Sequence, residues 1–175
     1  MSSPQDALAT LVAKDEIREL ALLYSRGVDR KDAALLRTLY TKDGMDFHGD
    51  KFRGPAEDYV QFLEASMPHL HYSGHHICNH LISVEGDTGH GEVYALAYHQ
   101  YRDRTGGWVE DLQTVRYLDQ YRCEDGRWKF AQRDVIFDAV SVRPIDPPTT
   151  AFTGPGEDES YTHLKSRLFA AGPRA

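Results

Sequence analysis

Two separate stretches of this 175-residue chain carry residues suited to proton transfer. Asp29 ends an amphipathic stretch that also contains Tyr24, and a histidine cluster that includes His75 lies near mid-chain. An imidazole takes up and releases protons near neutral pH, and a carboxylate bonded to one ring nitrogen fixes the tautomer. Asp29 and His75 are therefore candidates for an acid–base pair. The alternative interpretations are that Asp29 is a capping turn residue and that His75 is a hydrogen-bonded core histidine.

The histidine cluster by itself does not predict a metal site. Its members are His69, His71, His75, His76 and His80. Strand alternation sends His71 and His75 to one face and His76 and His80 to the other. A catalytic zinc ion needs three converging protein ligands, and no second cluster with suitable spacing follows. We therefore expect no metal ion at these histidines.

Further candidates lie on the same predicted strand and on later ones. Asn79 is four residues after His75 and is predicted to share its face. His99 alternates with alanines, and Arg133 shares a face with Phe137, so both could line a pocket. A guanidinium among apolar neighbours needs an anion. The pattern alone favours a surface position for His99 and a structural salt bridge for Arg133.

Helices precede long strands along the chain. Apolar residues at helical spacing over residues 17–40 predict an amphipathic helix that is interrupted at Gly27 and restarts with Asp32 as its N-cap. A short helix over residues 7–12 is predicted before it, and a third helix starts at Pro55. Long strands are predicted over residues 71–85, 92–104, 108–123 and 127–142.

Short turns rich in glycine and aspartate join these strands, which predicts an antiparallel meander. Helices followed by such a sheet predict an α+β fold, in which a curved antiparallel sheet wraps around the N-terminal helices and leaves an apolar pocket. We predict one domain over residues 1–143 and a Pro/Gly-rich C-terminal extension over residues 144–175.

Composition excludes several classes of partner. The net charge is −7 with histidines neutral, and no Lys/Arg stripe suggests nucleic-acid binding. No apolar run approaches the roughly 20 residues of a membrane span. Cys78 and Cys123, without a signal peptide or CxxC motif, are expected to be reduced core residues of a cytoplasmic protein. A homo-oligomer, trimer or dimer, is predicted to cover an outer sheet face that carries His76, Cys78, His80 and Ile82.

Three stretches carry a resemblance to the SnoaL-like families of the nuclear-transport-factor-2-like superfamily: IRELALLYSRGVDRKD, GHHICNHLI and DGRWKFAQRDVIFD. The resemblance implies a cone-shaped α+β barrel. Asp29 and His75 match the pocket-facing pair of its lyases, such as scytalone dehydratase, bile-acid dehydratase and hexachlorocyclohexane dehydrochlorinase. Tyr24 matches the tyrosine of the dehydratases, where the dehydrochlorinase has a lysine, and Arg133 matches a pocket arginine. His76 is the alternative match to His75.

The resemblance implies a cofactor-independent lyase of the dehydratase type. In it His75 transfers the proton and Asp29 orients the ring. Tyr24 hydrogen-bonds the substrate carbonyl or the leaving oxygen, and Arg133 helps to bind the developing negative charge. The substrate would be a cyclic, largely apolar molecule such as a steroid, polyketide or terpenoid. Its predicted contacts are Asn79, His99, Tyr98 and Phe137. An isomerase or polyketide cyclase, a noncatalytic ligand-binding protein and the small subunit of a ring-hydroxylating dioxygenase are the alternatives.

Overall fold

The computed structural model describes residues 3–150 and 157–174. The helices are α1 (Pro4–Asp29), α2 (Ala33–Leu39), α3 (Ala56–Ser66) and α4 (Ser160–His163), and the strands are β1 (Tyr40–His48), β2 (Phe52–Pro55), β3 (Leu70–Glu85), β4 (Thr88–Arg102), β5 (Trp108–Glu124) and β6 (Arg127–Pro144). The six strands form one curved sheet in the order β2-β1-β6-β5-β4-β3. The α+β prediction is confirmed, but the sheet stays open, with β2 and β3 at its edges, instead of closing into a barrel.

Helix α1 is a single continuous helix. Ser3 and Asp6 form a capping box at its start, and the helix then runs unbroken through Gly27 to Asp29. The predictions of a separate helix over residues 7–12 and of an interruption at Gly27 are therefore wrong. Apolar side chains along one stripe of a long helix stabilise it through packing, which outweighs the weak helix propensity of one glycine.

The bend after α1 sets the position of Asp29. A Cβ atom on Gly27 would lie 2.6 Å from Cδ2 of Leu36, so the missing side chain lets α2 pack closely against α1. Asp32 caps α2 by accepting a hydrogen bond from the backbone N–H of Leu35 at 2.9 Å, as predicted. The two helices therefore meet at a tight corner, and Asp29 is the last helical residue before it.

The core forms between α1 and the concave face of the sheet. The buried stripe of α1 contains Ile17, Leu20, Leu23, Tyr24 and Val28. It packs in the same cluster as Tyr121, Trp128 and Phe130 of β5 and β6. Tyr24 is 2% exposed and points inward, as the helical spacing predicts.

The long strands β3 to β6 pair in antiparallel fashion, as predicted, but β1 pairs with β6 in parallel. The sheet is therefore mixed, not wholly antiparallel. The two parallel strands are adjacent in space although nearly eighty residues separate them along the chain. Short-range patterns carry no signal for such a distant pairing.

A β-bulge changes the faces of β3 halfway along the strand. Ile77 pairs with Ala95 and His80 with Val93, so residues 78 and 79 oppose a single residue of β4. Beyond the bulge Ile82 is 7% exposed and packs in the core, and the side chain of His80 also points inward. The prediction that His80 and Ile82 lie on the outer face is wrong, because strict alternation does not survive the extra residue.

The C-terminal segment packs on the corner between α1 and α2. The guanidinium of Arg26 stacks on the ring of Tyr161, 4.4 Å from its centroid, and the backbone N–H of Gly172 donates to Asp32 at 2.9 Å. Strand β6 reaches Pro144, and the domain boundary at residue 143 stays a prediction. Residues 151–156 and 175 of the predicted extension lie outside the described residues.

Both cysteines are free thiols, but only Cys123 is partly buried, whereas Cys78 is exposed. The core position predicted for Cys78 is therefore wrong, whereas the outer-face position predicted from strand alternation is right, because Cys78 lies two residues after His76 on the exposed face of β3. Among the described helices, none is both long enough and apolar enough to cross a membrane.

Candidate active site

A cavity of about 370 Å³ lies between the helices and the concave face of the sheet. Its size is within the range of small-molecule sites. Most of its lining is apolar or aromatic and includes Val28, Leu63, Met67, Val115, Tyr117 and Phe137. The polar side chains in the lining include Tyr24, His48, His75, His99, Asp111 and Gln113.

His75 and Asp29 form a direct hydrogen-bonded pair at one side of this cavity. Nδ1 of His75 lies 2.7 Å from Oδ1 of Asp29, and the side chains are 9% and 14% exposed. A carboxylate only accepts hydrogen bonds, so Nδ1 carries the proton in this contact. The other ring nitrogen, Nε2, is then the atom with which His75 can exchange a proton in the cavity.

Asp29 is held by donors from β3. Its carboxylate accepts from the hydroxyl of Ser73 at 3.1 Å and from the backbone N–H of His75 at 2.9 Å, in addition to the ring nitrogen. The C-terminal end of a helix disfavours a negative charge. The three hydrogen bonds offset this unfavourable interaction, and they fix the carboxylate relative to the strand that carries His75.

The structure distinguishes the two neighbouring histidines of β3. His75 lines the cavity, whereas His76 is exposed on the opposite face of the strand. Both precede the bulge, so the alternation from which their faces were predicted still applies there.

Tyr24 and His99 also line the cavity. The hydroxyl of Tyr24 lies 2.8 Å from that of Tyr59. Burial, and then the nearby Asp46, raises the pKa of Tyr24 above its ordinary value, so the side chain stays a neutral hydroxyl. The ring of His99 lies edge-on to that of His75, with the centroids 5.5 Å apart.

Burial, and then the neighbouring His75, lowers the pKa of His99 to about 3. In the unfolded chain this pKa is about 6.5, so between these values the unfolded state binds more protons and folding stability falls as the pH falls. We expect His99→Phe to flatten the decline in unfolding free energy between pH 6.5 and 4, by up to about 1.4 kcal/mol per pH unit. Urea titrations across this range measure the slope. The exposed His76→Phe is the control, and equal slopes for wild type and His99→Phe would contradict the expectation.

Arg133 does not line the cavity, which corrects its predicted role as a pocket residue. Its side chain is fully buried, and Nε and Nη2 donate to the two carboxylate oxygens of Asp119 at 2.8 and 2.7 Å. The guanidinium carbon lies 4.1 to 4.2 Å from the ring centroids of Tyr24, Tyr117 and Phe130. Arg133 therefore forms the structural salt bridge that the sequence pattern favoured.

Two other predicted contacts lie away from the cavity. Asn79 sits in the bulge of β3 and is exposed. Tyr98 is on the outer face of β4, where its hydroxyl donates to Glu110. Phe137 does line the cavity, as does His99, for which a surface position had been the favoured interpretation.

Sequence reasoning missed a second histidine–carboxylate pair in the cavity lining. Nδ1 of His48 lies 3.0 Å from Oδ1 of Asp46, whose side chain is completely buried. The other oxygen of Asp46 accepts from the hydroxyl of Tyr40 at 2.7 Å. The available signal was an Asp-x-His triplet in a short strand, because residues two apart share a face.

Sequence reasoning also missed a carboxylate and a cation in the cavity wall. Asp111 is 8% exposed, and its Oδ2 accepts from the side-chain amide of Gln113. Its Oδ1 is buried without a hydrogen-bond partner among the described residues. Lys51 contributes an ammonium group 4.8 Å from the ring centroid of Phe137. In the described part of the chain, no three His, Cys, Asp or Glu side chains are grouped to hold a metal ion.

A long helix packs in an open, curved six-stranded sheet, and a histidine-lined cavity of small-molecule size lies between them. The chain belongs to the SnoaL-like domain family, which matches it over residues 9–134. No curated protein sequence matches it.

Several solved structures are similar. A putative scytalone dehydratase from Novosphingobium aromaticivorans has a TM-score of 0.67 and 23% identity, over 85% of this chain and 97% of the other. The LinA-type3 hexachlorocyclohexane dehydrochlorinase of Novosphingobium barchaimii has a TM-score of 0.66 and 21% identity, over 87% and 100%. A protein of unknown function from Mycobacterium tuberculosis has a TM-score of 0.63 and 19% identity, over 78% and 76%. At these identities the likeness shows the fold.

Proposed function

We propose that this protein is a cofactor-independent lyase, of the dehydratase type, for a cyclic and largely apolar small molecule. The observation that carries the proposal is the 2.7 Å contact between His75 Nδ1 and Asp29 Oδ1 at the wall of a mostly apolar cavity. The names of two similar structures, a putative dehydratase and a dehydrochlorinase, agree with elimination chemistry.

In the proposed reaction, Nε2 of His75 removes a proton from the carbon next to a substrate carbonyl. Asp29 accepts from Nδ1 and so keeps the basic nitrogen directed at the substrate. The neutral hydroxyl of Tyr24 donates to the carbonyl oxygen and stabilises the negative charge that develops on it. Arg133 has no part as a substrate ligand, because Asp119 and three aromatic rings enclose it.

The cavity lining supports a substrate class of fused or single apolar rings that carry a hydroxyl and a carbonyl, such as a steroid, polyketide or terpenoid. Aromatic and aliphatic side chains suit the ring faces. The unpartnered Oδ1 of Asp111 would accept a hydrogen bond from a substrate hydroxyl. A buried acceptor gains from such a bond and is costly when left without one.

The test uses the purified protein with β-hydroxy ketones built on cyclohexanone, decalone and steroid skeletons. Mass spectrometry follows loss of water, and NMR in D₂O follows exchange of the hydrogen next to the carbonyl. We expect both reactions with at least one skeleton, without added cofactor and with EDTA present. Exchange without water loss would replace the lyase with an isomerase or cyclase. If neither reaction occurs with any ketone of the panel, the His75–Asp29 contact is a structural hydrogen bond of a noncatalytic protein.

We further propose that the protein forms a homo-oligomer, a trimer or dimer. The outer sheet face exposes apolar side chains other than those predicted, including Tyr94, Leu96, Leu112, Leu118 and Ile136. Exposed apolar area of this kind is typical of interaction surfaces. We expect light scattering at micromolar concentration to give a mass above that of one chain, and a monomer would contradict the proposal. The cytoplasmic location stays a prediction.

A further inference from the structure

The second histidine–carboxylate pair, His48 and Asp46, has the arrangement of an acid–base pair. The Asp46 carboxylate is 0% exposed, and each of its oxygens receives one hydrogen bond, from His48 Nδ1 and from the hydroxyl of Tyr40. The His48 side chain is 20% exposed and lines the cavity. A fully buried carboxylate therefore fixes the orientation of an imidazole that contacts the ligand space.

The two pairs belong to different strands that line one cavity. His48 ends β1 and His75 lies in β3, and the strands β6, β5 and β4 separate them in the sheet. Both side chains line the same cavity. A substrate in this cavity could contact both imidazoles, and two such groups are what is needed to remove a proton at one carbon and deliver one to a group on the next.

Among the described residues, the nitrogen of His48 that faces away from Asp46 has one weak partner. Nε2 lies 3.4 Å from the hydroxyl of Tyr59, longer than a normal hydrogen bond, while the ring stacks on that of Tyr59 with centroids 4.9 Å apart. A substrate oxygen could replace this contact at little cost. Tyr59 also bonds Tyr24 at 2.8 Å, so hydroxyl groups connect His48 to the residue proposed to bind the carbonyl.

The tyrosines themselves are poor proton donors. Burial is the main cause that raises the pKa of Tyr24 and of Tyr59 above the ordinary value of a phenol. They therefore hold hydrogen bonds without releasing protons near neutral pH. Of the groups in this cluster that contact the cavity, His48 is the one whose chemistry suits proton delivery.

We propose that His48, oriented by Asp46, is a second catalytic residue that protonates the leaving hydroxyl group. The inference rests on the proposed lyase function and deepens it. His75 takes the proton from carbon, and the electron pair of the C–H bond forms the C=C bond. The C–O bond breaks with its pair on oxygen, which takes a proton from Nε2 of His48 and departs as water. His75 then returns its proton, and His48 regains one, by exchange with solvent.

A change of leaving group separates this role from a structural one. Hydroxide is a poor leaving group without a proton, whereas chloride leaves unprotonated. The probes are a decalone with a hydroxyl on the carbon β to the carbonyl and the same ketone with chloride there. His48→Gln keeps an amide donor for Asp46 but transfers no proton, and His48→Phe keeps the stacked ring should the first variant fold poorly.

We expect His48→Gln to slow water loss by about 10²–10⁴-fold, to slow chloride loss less than about threefold, and to leave carbon–hydrogen exchange in D₂O intact. Asp46→Asn, a change in a positioning residue, should show the same dependence on the leaving group to a smaller degree. The control is His76→Gln, which replaces an exposed histidine and should leave all three rates unchanged. Lys51→Met removes the cation of the cavity wall and tests whether the ammonium group supplies the proton instead.

The inference is overturned if His48→Gln and His48→Phe slow water loss and chloride loss equally. It is also overturned if either folded variant loses water at the wild-type rate. In both cases carbon–hydrogen exchange would still support the lyase. Selective loss of water elimination in Lys51→Met alone would assign the role to the ammonium instead. Wild-type protein with neither exchange nor elimination would refute the proposed function, and this inference with it. Circular dichroism and thermal unfolding establish that each variant is folded.

Discussion

Replacement of His75 by alanine is expected to lower the elimination rate by about 10²–10⁴-fold, the usual range for loss of a general acid–base group. The reason is geometric: His75 lines the cavity, and the bond of its Nδ1 to Asp29 at 2.7 Å leaves Nε2 to take the proton. Carbon–hydrogen exchange should fall by a similar factor, since the same nitrogen starts both reactions. Steady-state kinetics on the most active ketone of the panel measures the first rate, and NMR in D₂O the second.

The neighbouring histidine is the matched control. His76 is exposed on the other face of β3, so His76→Ala should keep nearly full activity. Asp29→Asn should reduce turnover strongly but leave binding of a product analogue nearly unchanged, because the amide preserves shape and permits the wrong tautomer. Near-full activity of folded His75→Ala would refute the proposed mechanism, and loss confined to His76→Ala would mean that the opposite face of the strand carries the chemistry.

Replacement of Arg133 by methionine should lower the free energy of unfolding by about 3–5 kcal/mol, because it leaves the Asp119 carboxylate buried without its partner. Both side chains are 0% exposed and share two hydrogen bonds. Three aromatic rings around the guanidinium add cation–π contacts that methionine does not replace. Urea unfolding of the purified variant measures the change.

The same two strands provide the control. Arg116 of β5 bonds Asp138 of β6 on the outer face, where both side chains are partly exposed, so Arg116→Met should cost only about 0–1 kcal/mol. A double variant, Arg133→Met with Asp119→Leu, should recover part of the loss, since no unpaired charge remains. If Arg133→Met is no more costly than Arg116→Met, the buried pair does not stabilise the fold as we expect.

Local sequence patterns predicted most of the secondary structure because they depend on residues near one another in the chain. Apolar residues at helical spacing predicted α1, although not its continuity through Gly27, and Gly-rich turns between extended stretches predicted the meander of β3 to β6. The N-cap at Asp32 followed from side-chain chemistry. The parallel pairing of β1 with β6 had no such local signal.

The candidate site was predictable where residue type and alternation sufficed. Asp29 and His75 were singled out by their chemistry and by the family resemblance, and they are in contact. Asn79 was assigned to the wrong face because one extra residue in β3 reverses the alternation beyond Ile77. Alternation shows which side a residue faces only while the strand stays regular.

Local sequence was sufficient to predict the fold class, the inward stripe of α1 and the candidate pair Asp29 and His75. The partner of Arg133 and the position of His48 in the cavity wall depend on the folded chain. The physical reason is that hydrophobic period and capping are properties of a short segment, whereas a buried charge takes whichever partner the packed strands bring within hydrogen-bond distance. Asp119 and Arg133 become partners only because β5 and β6 pair at that register.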